Sequence, residues 1–223
     1  MLQIKRFGNF QSIILLSRIE MNLKKIYLML QEKLAHFQII LGSGSPRRKS
    51  LLEELQLDFT VEVMPVDEAF SSSLQKEEIT NYLVKLKADG FRKLKENEVL
   101  ITGDTIVWHN HQALNKPQNK TEAMQMLQSL SGTTHQVISS VALTSKEKQI
   151  IKSDEVDVSF RELTLEEIEF YVDQFQPFDK AGAYGIQEWI GKIGITSIQG
   201  SFYTVMGLPV HMLYDALLEI AKN

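Results

Sequence analysis

Four stretches of this sequence put charged or hydroxyl-bearing side chains where a protein without a ligand gains little from them. The first is Ser43-Gly44-Ser45-Pro46-Arg47-Arg48. It reads as a tight loop running into a helix, with Ser45 as N-cap and Pro46 at the first helical position. A helix N-terminus carries partial positive charge and free N–H groups. Two arginines in that turn are therefore unfavourable by roughly 0.3–1 kcal/mol each unless an anion joins them. Glycine allows close backbone approach, serine adds hydroxyl donors, and arginine grips phosphate in a bidentate way. Taken alone, the stretch is as readily a surface helix start with solvated arginines.

The second stretch is Asp104, inside Leu100-Ile101-Thr102-Gly103-Asp104-Thr105-Ile106-Val107. A carboxylate in an apolar strand is costly unless it meets a cation or donors, and Gly103 beside it leaves room for a ligand. The competing reading is a Gly-Asp turn that splits two strands. The third is Asp67-Glu68 after a short apolar run. Paired acids at a strand end suit Mg²⁺, which takes oxygen ligands and keeps several waters; a solvated loop has the same composition. The fourth is Asp179-Lys180-Ala181-Gly182-Ala183-Tyr184-Gly185-Ile186-Gln187. Its lysine could meet phosphate, and Gln187 could read a base edge with a paired donor and acceptor. A Gly-rich loop without a ligand is equally compatible with it. His109 and His111 read as decoration of a turn, not as metal ligands. His36, His135 and His211 are isolated, and each reads as structural or solvated.

The elements that must carry these residues follow from periodicity. Phe37–Leu41 reads as a buried strand, the helix opened by Pro46 buries Leu51, Leu52 and Leu55, and Phe59–Met64 reads as a second strand. A long helix is expected over Glu77–Leu94, a β-rich run over Val99–Trp108, and a turn at His109–Gln112. Thr121 is expected to cap a helix ending near Gly132. Val137–Thr144 and Ile150–Phe160 read as antiparallel strands joined by the charged turn Lys146–Lys148. Thr164 and Glu167 form a capping-box signature for a helix ending near Phe175, and an amphipathic helix runs from about Pro209 to Ala221. Alternating helices and strands with an antiparallel pair predict an α/β fold with a mixed sheet.

Bulk composition narrows the classes. The chain has 223 residues, 43% hydrophobic and 23% charged, enough for a sizeable core. A net charge of −4 gives no global basic field for nucleic acid, so any anion site must be local. With no cysteine, disulfides and thiolate zinc sites are excluded. No apolar stretch approaches the roughly 20 residues that span a bilayer. Residues 1–35 read as an N-terminal extension, with Met21 and Met29 as alternative starts, and residues 36–223 as the functional domain.

Singly these signals are weak, but their order is specific. S-x-S-P-R-R, V-D-E, L-K-A, G-D-T-I-V, N-K-P, L-S-G, D-K-A-G-A-Y-G-I-Q and G-S-F-Y-T-V-M-G-L-P together resemble the Maf family of nucleoside triphosphate pyrophosphatases, the septum formation inhibitor proteins. The resemblance runs from about Ile39 to near the C-terminus. It implies a two-lobed α/β fold with an elongated, twisted mixed sheet, similar to inosine triphosphate pyrophosphatases, with the active site between the lobes. It implies a cytoplasmic enzyme that cleaves between the α- and β-phosphates with Mg²⁺ or Mn²⁺. By resemblance Asp104 is the proton acceptor, with Glu68 and Lys87 beside it in the catalytic group and Glu68 and Asp104 as the metal ligands. Ser43, Arg48, Lys116 and Lys180 match phosphate-binding positions. Arg47, Thr105 and Gln187 match the residues that mark the dTTP/UTP branch, whereas a 7-methyl-GTP branch resembles S-P-W-R and S-E-G. The expected partners are dTTP and UTP and a second copy of the chain in a homodimer, with neither nucleic acid nor membrane. A broader-range pyrophosphatase and a non-catalytic nucleotide-binding regulator of septum formation are the rival readings. Glu188 departs from the family pattern, in which glycine often follows the glutamine.

Overall fold

The computed structural model of the chain describes residues 30–222. The expected alternative starts, Met21 and Met29, lie outside the described residues. Residues 30–34 are helical, and Leu30 and Leu34 pack into a core even though they precede the expected domain boundary.

In chain order the elements are β1 (Gln38–Leu41), α1 (Pro46–Glu54), β2 (Phe59–Val61), α2 (Glu77–Asp89), β3 (Glu98–His109), β4 (Gln112–Leu114) and α3 (Lys120–Leu130). They continue with β5 (Thr134–Thr144), β6 (Gln149–Phe160), α4 (Leu165–Phe175), a 3₁₀ turn at Ala181–Ala183, α5 (Trp189–Gly194), β7 (Ile195–Gln199), α6 (Phe202–Met206) and α7 (Val210–Ile220). The seven strands form one mixed sheet in the order β2-β1-β3-β5-β6-β7, with β4 added to β3. Both β2 and β3 run parallel to β1, while β3, β5, β6 and β7 are mutually antiparallel neighbours. The α/β class with a mixed sheet is as expected.

Local chemistry sets most element ends. The Ser45 hydroxyl accepts from the Arg48 N–H and caps α1, and Thr164 with Glu167 closes a reciprocal capping box on α4, contacts worth about 1 kcal/mol each. The long helix expected to reach Leu94 instead stops at Asp89 with Gly90 as C-cap, where a Cβ would lie 2.6 Å from Val66. The cap expected at Thr121 is Asn119, whose side chain accepts from the Glu122 N–H. Phe59–Met64 is strand only to Val61; Val63 and Met64 are exposed. Asn110 and His111 both have positive φ (49° and 61°), the backbone of a tight hairpin turn, and they turn β3 into β4.

The three long strands are apolar at both ends and polar in the middle. At one end Val99, Ile101, Val141 and Leu143 pack with Leu51, Leu52, Leu213 and Leu217. At the other, Val107, Val137, Val156 and Val158 pack with Leu127, Leu130, Tyr171 and Ile190. Between these two cores lie buried Thr102, Asp104, Ser139 and Ser140. Two cores joined by a polar waist give the two lobes. Ser140 is stabilised there by contacts with Thr80, Asn81 and Ser153, and the Ser139 hydroxyl donates to the Thr204 carbonyl at 2.8 Å. Among the described residues no helix is long and apolar enough to cross a membrane.

His135 is buried in the second lobe, hydrogen-bonded through Nε2 to the Tyr184 hydroxyl at 2.8 Å. Burial, reinforced by nearby His109, pushes its pKa down to about 3. The unfolded chain takes up this proton below about pH 6.5 while the folded chain does not. Native stability therefore falls as pH drops from about 6.5 toward 3. Melting curves between pH 7 and pH 5 should show a declining midpoint, and His135→Gln should flatten that decline. An unchanged slope in the variant would remove His135 as its source.

Candidate active site

The sheet itself makes the site. One edge of β3 is paired with β1 over Glu98–Ile101 and with β4 over Val107–His109. Among the described residues no strand pairs with Thr102–Ile106 on that edge, while β5 pairs along the whole opposite edge from Leu100 to Trp108. The gap lies at the carboxyl end of β1, the usual place for a ligand in an open α/β sheet. There a cleft of about 580 Å³ opens, lined by the loop after β1, the segment after β2, the end of α2, the middle of β3 and the chain around Lys180 and Gly207. All ten expected site residues line it: Ser43, Arg47, Arg48, Glu68, Lys87, Asp104, Thr105, Lys116, Lys180 and Gln187.

The pleat of β3 divides the chemistry between two faces. Asp104 shares its face with Thr102 and Ile106, the face covered by α2: Thr102 donates to the Val84 carbonyl at 2.8 Å, and Ile106 packs on Ile79 and Leu83. On that side the Lys87 ammonium lies 2.6 Å from Asp104 Oδ1 and 3.2 Å from Glu68 Oε1. Asp104 is buried and Glu68 is about half exposed. The reading of Gly103-Asp104 as a turn is excluded, because both residues continue the ladder opposite Val141 and Ser140.

Gly103 and Thr105 present the other face to Arg48. Its Nε donates to the Gly207 carbonyl at 2.9 Å, one terminal nitrogen to Ser43 Oγ at 3.1 Å, and the other to Thr105 Oγ1 at 3.3 Å. All three acceptors are neutral, and among the described residues Arg48 forms no direct ion pair. Desolvation lowers its pKa and the Arg47 charge adds to this, while Asp104 and Glu68 act in the opposite sense. A guanidinium stays charged regardless, so a nearly complete positive charge faces the cleft without a counter-ion in contact.

A third wall comes from the Gly-rich segment. Lys180 is buried, with its ammonium 2.7 Å from Asp179 Oδ1 and 3.1 Å from Glu188 Oε1. Asp179 also takes a hydrogen bond from Arg47 at 2.9 Å. Burial opposes ionisation of Asp179, but Lys180 and Arg47 outweigh it and lower its pKa. Gln187 Oε1 is buried and has no hydrogen-bond partner among the described residues. Lys116 is exposed at the cleft mouth. The Thr105 hydroxyl is engaged by Arg48, Ser139 and the Gly207 carbonyl, so it supports Arg48 in addition to lining the cleft.

Three participants were not singled out by residue-by-residue reading. Gly207, with φ +115°, turns its carbonyl to Arg48; Asp179 and Glu188 bracket Lys180. The signals for them were the stretch that Asp179 opens, the departure from the family pattern at Glu188 and the V-M-G-L-P run. His109 and His111 take no part: they border a separate hollow beyond the second lobe.

Gly103 is where Arg48 lies. A Cβ there would sit 2.9 Å from Arg48 Nε and 3.2 Å from its Cδ. Gly103→Ala should displace the guanidinium and weaken binding of inorganic tripolyphosphate about tenfold by calorimetry, the scale of one charge-assisted contact. Wild-type affinity in a folded variant would show that Arg48 does not hold the anion.

The family described as Maf-like protein matches residues 38–220. A Christiangramia forsetii protein named dTTP/UTP pyrophosphatase is 52% identical over 196 residues, spanning 87% of this chain and 100% of that one. Proteins of the same name from Flavobacterium johnsoniae and Bacteroides thetaiotaomicron are 47% and 50% identical, over 86% and 82% of this chain and 100% and 96% of their own. The Staphylococcus aureus Ham1 protein superposes with a TM-score of 0.44 at 13% identity, over 82% of this chain and 99% of that one. Matched along nearly its whole described length, with relatives about half identical end to end, the chain belongs to the Maf family.

Proposed function

We infer that this protein hydrolyses dTTP and UTP to the nucleoside monophosphate and pyrophosphate. The observation that carries the reading is the opposition across one cleft: Asp104 and Glu68 around Lys87 on one side, and Arg48 and Lys180 on the other. A triphosphate is the ligand class that uses such an array, because phosphoryl chemistry needs charge neutralisation and alignment more than covalent help. The names of the half-identical relatives support the substrate class.

In this reading Ser43, Arg48, Lys116 and Lys180 bind phosphate oxygens. Arg48 is preorganised for this, since three neutral acceptors already fix its plane. Asp104, oriented by Lys87, accepts the proton of the water whose attack on phosphorus breaks the bond between the α- and β-phosphates and releases pyrophosphate. Arg47, Thr105 and Gln187 read the base. The orphan Gln187 Oε1 accepts from an imide N–H of the kind thymine and uracil present, and its amide can donate to a neighbouring base carbonyl.

A divalent cation fits the donor set. The two carboxylates converge on a single cationic nitrogen, and both offer hard oxygen. Among the described residues no cluster of three or more His, Cys, Asp or Glu suits a metal. A pair of carboxylates completed by substrate phosphates and water is the Mg²⁺ or Mn²⁺ pattern. Glu68 and Asp104 would hold the ion, which supplies Lewis-acid neutralisation of phosphate charge when bound. The same reading carries a cytoplasmic location, a homodimer, and a catalytic domain over residues 36–223.

Asp104→Asn keeps the shape and removes the basicity. It should lower kcat on UTP by about 10²-fold or more; near-normal turnover would take Asp104 out of the proton-accepting role. A panel of nucleotides with Mg²⁺ and Mn²⁺, read by pyrophosphate release, should rank dTTP and UTP first. Gln187→Ala should reduce activity on those two selectively. Equal losses across the panel, or preference for 7-methyl-GTP, would argue against base reading by Gln187. Stoichiometric dTTP binding without pyrophosphate release would favour the non-catalytic regulator.

A further inference from the structure

Glu188 stands where the family often has glycine, and nothing in the reaction outlined above requires a second acid on the phosphate-binding wall. Its position is nevertheless closely specified. One carboxylate oxygen lies 3.1 Å from the Lys180 ammonium. The other accepts a hydrogen bond from the Tyr171 hydroxyl. Tyr171 is fully buried on α4, and its oxygen in turn accepts the Gly185 N–H at 3.1 Å. Burial, then the bond to Glu188, raises the Tyr171 pKa, so the phenol stays a donor. Gly185 completes the seat: a Cβ there would lie 2.8 Å from the Glu188 carboxyl carbon.

The two acids at Lys180 differ in kind. Asp179 is 54% exposed and shared with Arg47, whereas Glu188 is 20% exposed and anchored through a buried ring. An incoming polyanion that engages Lys180 loosens its hold on Asp179 but leaves the Tyr171–Glu188 anchor intact. Lysine is a flexible point charge, and a fixed carboxylate behind it limits where that charge can go. The four charges of Arg47, Asp179, Lys180 and Glu188 sum to zero, so this wall aims two cations at the cleft without excess positive charge.

We propose that Glu188 is a positioning residue: pinned by the Tyr171 hydroxyl, its carboxylate holds the Lys180 ammonium at the place where the substrate's phosphates bind. The proposal rests on the reading of Lys180 as a phosphate ligand. It opposes the simplest electrostatic expectation. If Glu188 acted only as a negative charge near a polyanion, removing it would tighten binding; if it positions Lys180, removing it weakens binding.

The test uses the full chain and compares Glu188→Gln, Tyr171→Phe, Lys180→Met and the Glu188→Gln/Lys180→Met double variant. KM and kcat are measured for UTP, and affinity for inorganic tripolyphosphate by calorimetry. Glu188→Gln keeps an acceptor for Tyr171, and Tyr171→Phe changes no charge. Each should raise KM and the tripolyphosphate Kd about fivefold, the scale of one ordinary net hydrogen bond, with kcat within about twofold. In the Lys180→Met background, Glu188→Gln should change neither constant. A lower Kd in Glu188→Gln, a wild-type Kd in Tyr171→Phe, or an undiminished effect without Lys180 would each overturn the proposal. A wild-type protein that releases no pyrophosphate from UTP would sink the pyrophosphatase reading, while the tripolyphosphate arm would still decide the role of Glu188.

Discussion

A few residues of one strand, Thr102 to Thr105, carry the constraint on which the molecule depends. There β3 has lost its neighbour on one edge and is neither fully sheet nor fully surface. A strand in that position has to satisfy polar groups without water and leave room for something else to enter. The chain meets the first demand with hydroxyls and with Lys87, and the second with Gly103, whose missing side chain is the space Arg48 occupies. A half-buried cation that meets only neutral acceptors is less well solvated than it is in water. Arg48 is tolerated because its partners are numerous and because the apolar ends of the same strands supply two cores to hold the waist together.

That division of labour explains which features could be read from the chain and which could not. Ser45, the Thr164–Glu167 box and the charged hairpin at Lys146–Lys148 announce themselves locally, since caps and tight turns are made by neighbours in sequence. The short elements did not. Strands β4 and β7 and helices α5 and α6, each of three to six residues, are too brief to show a period. The run Phe59–Met64 reads as a strand because β-branched and apolar residues dominate it. Its last two residues are apolar yet exposed, and they line the cleft. Hydrophobicity marks what avoids water, and a binding wall does that only when occupied.

The site was legible to the extent that chemistry out of place is visible. An acid in an apolar run and two arginines at a helix start are local contradictions, and each resolves in the same cavity. What could not be read is every role made by shape or by carbonyl direction. Gly207 acts through its backbone, Glu188 through a tyrosine 17 positions earlier in the chain, and Thr105 through the groups its hydroxyl joins. None of these leaves a compositional trace.

The spacing in the Gly103-Asp104-Thr105 run follows from the pleat. Successive side chains of a strand alternate between faces, so three adjacent residues reach two different environments. Asp104 goes to the α2 side to meet Lys87, while Gly103 and Thr105 go together to the α1 side, one making room for Arg48 and the other receiving it. The acid and the guanidinium thus approach the same opening from opposite faces of one strand and do not neutralise each other. Had they shared a face, a direct ion pair with Asp104 would have taken up the Arg48 charge, which is now left to a ligand, whereas Asp104 is paired with Lys87 in either case. A shift of one residue in the β3–β5 register would exchange the faces and pair Asp104 with Arg48. The long antiparallel ladder between β3 and β5, nine residue pairs with no break, is what prevents that shift and so keeps the opposing charges apart.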